Sequence, residues 1–261
     1  MKRILILSLF ICGFLTGPVW ADYDSKCKEV LPRGMEFTRN CQMIASRINF
    51  YNVVPAVDLT TGLVNAVVTM PAGTNVKWLV NKDNGMLKVE PVPSYAYTLP
   101  VNLKSDNSHA NWKHKSVVPS VIDYLGVPGN YGIVPRTVIG GNEEAGRPSK
   151  PLDILIIGGP MLRGTVAKVK LIGAIQLLDL STNPNENTYK LIAVLPGTPL
   201  AEGVNTLADL DAGASKIIQT WFENYQGTDV LSFTSLLEAG VYGDTSSSNT
   251  AWGVLSDCNT E

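Results

Sequence analysis

Few side chains in this chain have the type and spacing to do chemistry, and each familiar template can be tested against them. The two histidines, His109 and His114, flank Trp112 in a polar insertion. With Asp106 they carry donor types suited to a transition-metal ion, but histidines in such a loop are by default solvated. Any Ser-His couple would have to use the same two, and no Gly-x-Ser-x-Gly elbow accompanies them. Gly159-Pro160-Met161-Leu162-Arg163-Gly164-Thr165 has the rhythm of a phosphate loop without the lysine before its final threonine. It reads as a turn feeding a strand from Val166. The four cysteines, Cys12, Cys27, Cys41 and Cys258, match no zinc spacing. What remains is a scattered set of acids, ammonium groups and phenols set in apolar surroundings, such as Asp153 in Pro151-Leu152-Asp153-Ile154-Leu155-Ile156.

The elements that must position them are mostly strands. Short β-branched runs at Val64 to Thr69, Val76 to Val80, Leu87 to Val89, Leu152 to Ile157, Val166 to Lys170, Ile172 to Leu178 and Leu191 to Val194 are separated by Gly, Pro and Asn clusters. Helix comes late. Thr206 can cap Leu207 to Leu210, and Ile217, Ile218, Trp221, Phe222 and Tyr225 recur at helical spacing, an apolar stripe suited to packing on a barrel. Thr245 to Thr250 reads as a polar loop in the tail.

Several segments in order carry a resemblance. Val67-Val68-Thr69-Met70-Pro71 is followed by Thr74-Asn75-Val76-Lys77-Trp78, then an Asn130-Tyr131-Gly132 turn, Pro148-Ser149-Lys150-Pro151-Leu152-Asp153, Gly164-Thr165-Val166, Leu177-Leu178-Asp179, Lys190 to Val194, and Trp221 to Tyr225. Together, over roughly residues 64 to 226, they resemble the soluble inorganic pyrophosphatases of the β-barrel type (family I). The resemblance implies a mainly β (α+β) fold, a small closed OB-like barrel of about five to seven strands with C-terminal helices packed on it. It also implies Mg²⁺-dependent hydrolysis of diphosphate, in which carboxylates hold the ions and lysines and tyrosines neutralise the phosphates.

Transferred residue by residue, Asp153 and Asp179 stand at metal positions, and Lys77, Tyr131, Lys190 and Tyr225 at phosphate contacts. The other carboxylate positions hold Thr69, Leu79, Pro148, Lys150 and Thr188, while Pro91 replaces a contact arginine and Gln226 a lysine. An ammonium at Lys150 repels a cation where the family binds one. Replacement ligands would have to come from two longer loops, through Glu143 and Glu144 or through Glu186. The expectation is an eroded metal centre, weak or inactive towards diphosphate, with an anion cleft in which Lys150 joins the other cations. The alternatives are an active Mg²⁺ diphosphatase with loop ligands, or a secreted structural or partner-binding protein.

Lys2-Arg3, the apolar run Ile4 to Leu15 and Val19-Trp20-Ala21 read as a signal peptide spanning residues 1–21, followed by a single domain over 22–261. Export to the periplasm or beyond follows. The run falls short of a membrane span. Cys12 leaves with the signal, and an oxidising compartment favours one bridge among Cys27, Cys41 and Cys258, either local or tying the two ends. With 45% apolar and 17% charged residues the chain can bury one sizeable core. Loss of Lys2 and Arg3 takes the formal charge from −2 to −4. That balance, without a basic cluster, argues against nucleic acid as a partner; the resemblance implies diphosphate, phosphate or a phosphorylated small ligand, with a homo-oligomer compatible.

Overall fold

The computed structural model describes residues 23–24, 27, 29–38, 41–81, 84–90, 120–139, 150–181, 185–227, 230–240 and 249–258. The signal segment, Pro91, Asp106, His109, His114, Glu143, Glu144 and Pro148 lie outside them. In chain order the strands begin with β1 (Tyr23–Asp24), β2 (Glu29–Val30), β3 (Met35–Thr38), β4 (Met43–Ser46), β5 (Val57–Asp58), β6 (Leu63–Met70), β7 (Trp78–Val80) and β8 (Leu87–Val89). They continue with β9 (Asn130–Ile139), β10 (Lys150–Ile157), β11 (Val166–Asp179), β12 (Glu186–Val194) and β13 (Leu231–Glu238). Among the described residues two α-helices flank β13 in sequence, α1 (Ala212–Asn224) before it and α2 (Ala251–Cys258) after it.

Strands β6, β9, β10, β12 and β11 pair in that order, and β11 pairs back to β6, which closes a five-stranded barrel. The β10 to β12 pairing is parallel and the other barrel pairings are antiparallel. β5 and β13 extend the barrel sheet, and β3, β4, β8 and β7 form a separate four-stranded sheet. Alternation along the strands sorts the side chains, since successive residues point to opposite faces. Val64, Ala66, Val68, Leu152, Ile154, Ile156, Leu191 and Ala193 fill the interior, joined by Trp252, Val254 and Leu255 of α2. Leu155, Ile157, Ile192 and Val194 face outward under α1. Val67 and Ile133 face outward under the small sheet.

Several details differ from the expectations. Asn130-Tyr131-Gly132 opens strand β9 and is not a turn. The runs Val166 to Lys170 and Ile172 to Leu178 form one strand, β11, with a register shift between Leu171 and Gly173. That shift is a bulge, and it changes which parity faces inward: Ala167, Val169 and Leu171 before it, Ala174 after it. Asp211 caps α1 through a bond from the Gly213 N–H at 2.7 Å, and Ile218, Trp221, Phe222 and Tyr225 are buried as the stripe predicted. Ile217 is the exception at 61% exposed, on the solvent side of the helix. The tail contributes α2, which the polar run before it does not announce. The disulfide is local, Cys27 to Cys41, with Cα atoms 5.4 Å apart, and Cys258 is a buried free thiol in α2. The bridge therefore closes an N-terminal loop and does not tie the chain's ends together.

Candidate functional site

Three adjacent barrel strands bring polar side chains to one outward patch. Asp153 of β10 pairs in register with Lys190 of β12 and with Ile133 of β9, and Tyr131 lies opposite Leu155, two pairs further along. Because they share the outward parity of their strands, all three project under the C-terminal end of α1, where Tyr225 follows the last helical residue. Lys77 enters from the loop before β7. Glu90, just past β8, is held beside it by the bond from its own N–H to the Lys77 carbonyl at 2.9 Å. Lys77, Glu90, Tyr131, Lys150, Asp153, Lys190, Tyr225 and Gln226 line one cleft of about 160 Å³ together with Leu79, Trp78 and Trp221.

Each of the two carboxylates in this cleft already faces an ammonium. The Lys190 ammonium, nearly buried, donates to Asp153. Burial works most strongly against that charge, but the Asp153 carboxylate and its neighbours outweigh it and hold the ammonium above its ordinary range. Lys77 Nζ lies 3.9 Å from Glu90 and 5.5 Å from the centre of the Tyr225 ring. Burial pushes the Tyr131 hydroxyl well up, and the Asp153 charge pushes it further. Burial also raises Tyr225, against a pull from Lys190. Both phenols are therefore neutral donors at neutral pH. Lys150 sits exposed at the rim, and no ion pair joins it to a carboxylate among the described residues.

The structure thus gathers Lys77, Tyr131, Lys150, Asp153, Lys190 and Tyr225 in one place. Asp179 and Glu186 do not line the cleft, although the Asp179 charge reaches Lys190 and helps to raise it. Asp179 and Glu186 pair at the loop end of the β11 to β12 hairpin, and Asp179 accepts from the Ser181 N–H at 2.9 Å and its hydroxyl at 2.5 Å. Glu90 and Trp221 are cleft residues that sequence reasoning missed as such. No motif marks Glu90, and only the pairing of β7 with β8 reveals its contact with Lys77.

Behind the cleft, two side chains absorb structural demands. Asn130, fully buried, accepts from the N–H groups of Ala72 (3.2 Å) and Met161 (2.7 Å) and donates to the Gly159 carbonyl (2.9 Å), fastening two loops to the start of β9. Arg163 is buried over the Trp78 ring at 4.6 Å, donates to the Thr69 carbonyl, and pairs with Glu29 at 2.9 Å. Thr69 and Trp78 both border the cleft, so Arg163 braces its wall from the far side.

The chain is 30% identical over 176 residues to an inorganic pyrophosphatase of Drosophila melanogaster, covering 63% of this chain and 45% of that one. It is 26% identical over 163 residues to a soluble inorganic pyrophosphatase of Zea mays, covering 62% and 58%. The chain thus spans about half the length of these relatives. Among solved structures, the type I inorganic pyrophosphatase of Toxoplasma gondii superposes with a TM-score of 0.56 at 21% identity, covering 76% of this chain and 86% of that one. The Helicobacter pylori enzyme superposes with a TM-score of 0.51 at 20% identity, covering 75% and 91%. These superpositions speak to the fold. The family model described as inorganic pyrophosphatase matches residues 66–248, which contain every barrel strand except the first residues of β6, and this chain belongs to that family.

Proposed function

We propose that this chain is an exported member of the family whose cleft holds a phosphate-type oxyanion directly on lysine and tyrosine side chains, with little or no diphosphatase activity. The observation that carries the reading is the ion pair at the cleft floor. Asp153, the carboxylate that the family resemblance assigns to metal, is taken up by the Lys190 ammonium. Mg²⁺ demands an octahedral shell of oxygens and several waters. The donors among the described residues do not fit that demand: Glu90 faces Lys77, Lys150 lines the same cleft as Asp153, and Asp179 and Glu186 lie at the hairpin end. An ammonium beside each cleft carboxylate supplies the neutralising charge that a cation would otherwise supply. We therefore assign no step to a bound metal. The ammonium groups and the neutral phenol of Tyr225 supply charge-assisted and neutral donors for an anion, while the Tyr131 phenol already donates to Asp153.

The decisive measurement is phosphate release from diphosphate by purified mature protein with Mg²⁺, Mn²⁺ or Zn²⁺. Release should stay far below a typical enzymic turnover of about 10 per second, and a rate of that order overturns the reading. Titration calorimetry in EDTA should in parallel show phosphate binding that weakens as salt rises. Export rests on the sequence of residues 1–21, and intact mass of the secreted protein should begin at Asp22. A mass that retains Met1 to Ala21 contradicts it.

A further inference from the structure

We infer that the ligand of this cleft is a phosphate monoester with a compact apolar group, not diphosphate or free phosphate; the inference rests on the anion-binding reading above. Charge is the first reason. Three ammonium groups, Lys77, Lys150 and Lys190, face two carboxylates, Glu90 and Asp153, so the described lining carries one net positive charge. A single phosphoryl group, with about −1.5 to −2 charge at pH 7, is within reach of that balance. Diphosphate carries more charge than the lining can offset without added cations.

The apolar lining is the second reason. β7 alternates, with Trp78 and Val80 buried in the small-sheet core and Leu79 turned the other way, 39% exposed at the cleft. The family resemblance places a carboxylate at Leu79, so a charged wall has become a greasy one. Trp221 and Tyr225 stack with ring centres 4.5 Å apart and planes 11° from parallel. The indole N–H is already used, donating to the Leu125 carbonyl at 2.8 Å, so Trp221 has no donor to offer a ligand. Met70, Ile122 and Ile133 also border the space. Trp221, Tyr225, Met70, Ile122 and Ile133 are themselves nearly buried, so Leu79 is the apolar surface that an inorganic ion leaves in water and an apolar substituent covers, which is favourable in proportion to the area covered. The cleft's 160 Å³ lies below the about 300 Å³ at which drug-sized sites begin, which limits the substituent to something near a single ring or short alkyl chain.

Phenyl phosphate, inorganic phosphate and diphosphate are therefore the probes, titrated calorimetrically into the full mature chain at low salt with EDTA present. Phenyl phosphate should bind about tenfold more tightly than inorganic phosphate, the discrimination expected of a small apolar contact, and at least as tightly as diphosphate. Leu79→Gln, at a half-exposed strand position that tolerates a polar residue, should cut the preference for phenyl phosphate over phosphate to about twofold. Equal binding of phosphate and phenyl phosphate, tighter binding of diphosphate, or a preference unmoved by Leu79→Gln overturns the inference and leaves the anion-binding reading standing. Failure of all three ligands to bind overturns both.

Discussion

At the scale of single residues, the Asp153 and Lys190 pair separates two kinds of site. Were Asp153 a metal ligand in a working diphosphatase, Asp153→Asn would remove activity and leave anion binding weaker. In a cleft that binds anions on its lysines, the same substitution frees an ammonium and should raise phosphate affinity several-fold, read by calorimetry in EDTA. It should also lower stability by about 3 kcal/mol in urea unfolding, because a nearly buried ammonium loses its counter-ion. The pair has a pH signature. Lys190 is held above its unfolded value near 10.5, so its stabilising contribution is complete below that pH and is lost as pH rises through the higher folded value. The alkaline fall in stability should be shallower in Lys190→Met than in wild type, measured by thermal unfolding across pH 9 to 12. Cys258 gives a second residue-level test. Burial pushes its thiol up to about 11, so iodoacetamide at pH 8 should label it only after denaturation.

At the scale of elements, β9 explains both what was legible and what was not. Lys77, Tyr131, Asp153, Lys190 and Tyr225 were traceable in sequence because they sit in recognisable segments, and strand parity then carries Tyr131, Asp153 and Lys190 to one face. Asp179 shares the segment logic but not the position, since register with Glu186 sets it at a hairpin end. The Asn-Tyr-Gly segment looks like a turn because Asn and Gly are turn residues. Here they serve other needs: Asn130 satisfies three loop groups, and Gly132 lets β9 approach β6. A Cβ on Gly132 would stand 2.2 Å from the Val67 carbonyl oxygen. Gly132→Ala should therefore cost about 3 kcal/mol in urea unfolding, with an unchanged m-value if the barrel still closes. Glu90 escaped notice for the opposite reason, being an ordinary acid after a short strand whose partner is fixed only by the pairing of β7 with β8.

At the scale of the whole molecule, the N-terminal segment and the barrel are joined through Arg163. The Cys27 to Cys41 bridge, 14 residues apart, closes the loop that carries Glu29, and Glu29 pairs with the guanidinium behind the cleft wall. Removing the bridge by Cys27→Ser with Cys41→Ser should cost about 3 kcal/mol, the loop-closure entropy of a span that short. Glu29→Gln should cost somewhat less, about 2 kcal/mol, because Glu29 is partly exposed while Arg163 is not. Reduction should therefore weaken anion binding along with stability, and a reduced protein with unchanged affinity would disconnect the brace from the cleft. The placement of α2 bears on how the molecule comes into being. Trp252, Val254 and Leu255 share the interior with residues of β6, laid down nearly two hundred positions earlier. While synthesis proceeds, the chain up to β13 has strand side chains in the barrel interior but lacks these three, an incompletely packed intermediate with apolar surface exposed. The native core can therefore close only after α2 has been made, however early the strands pair.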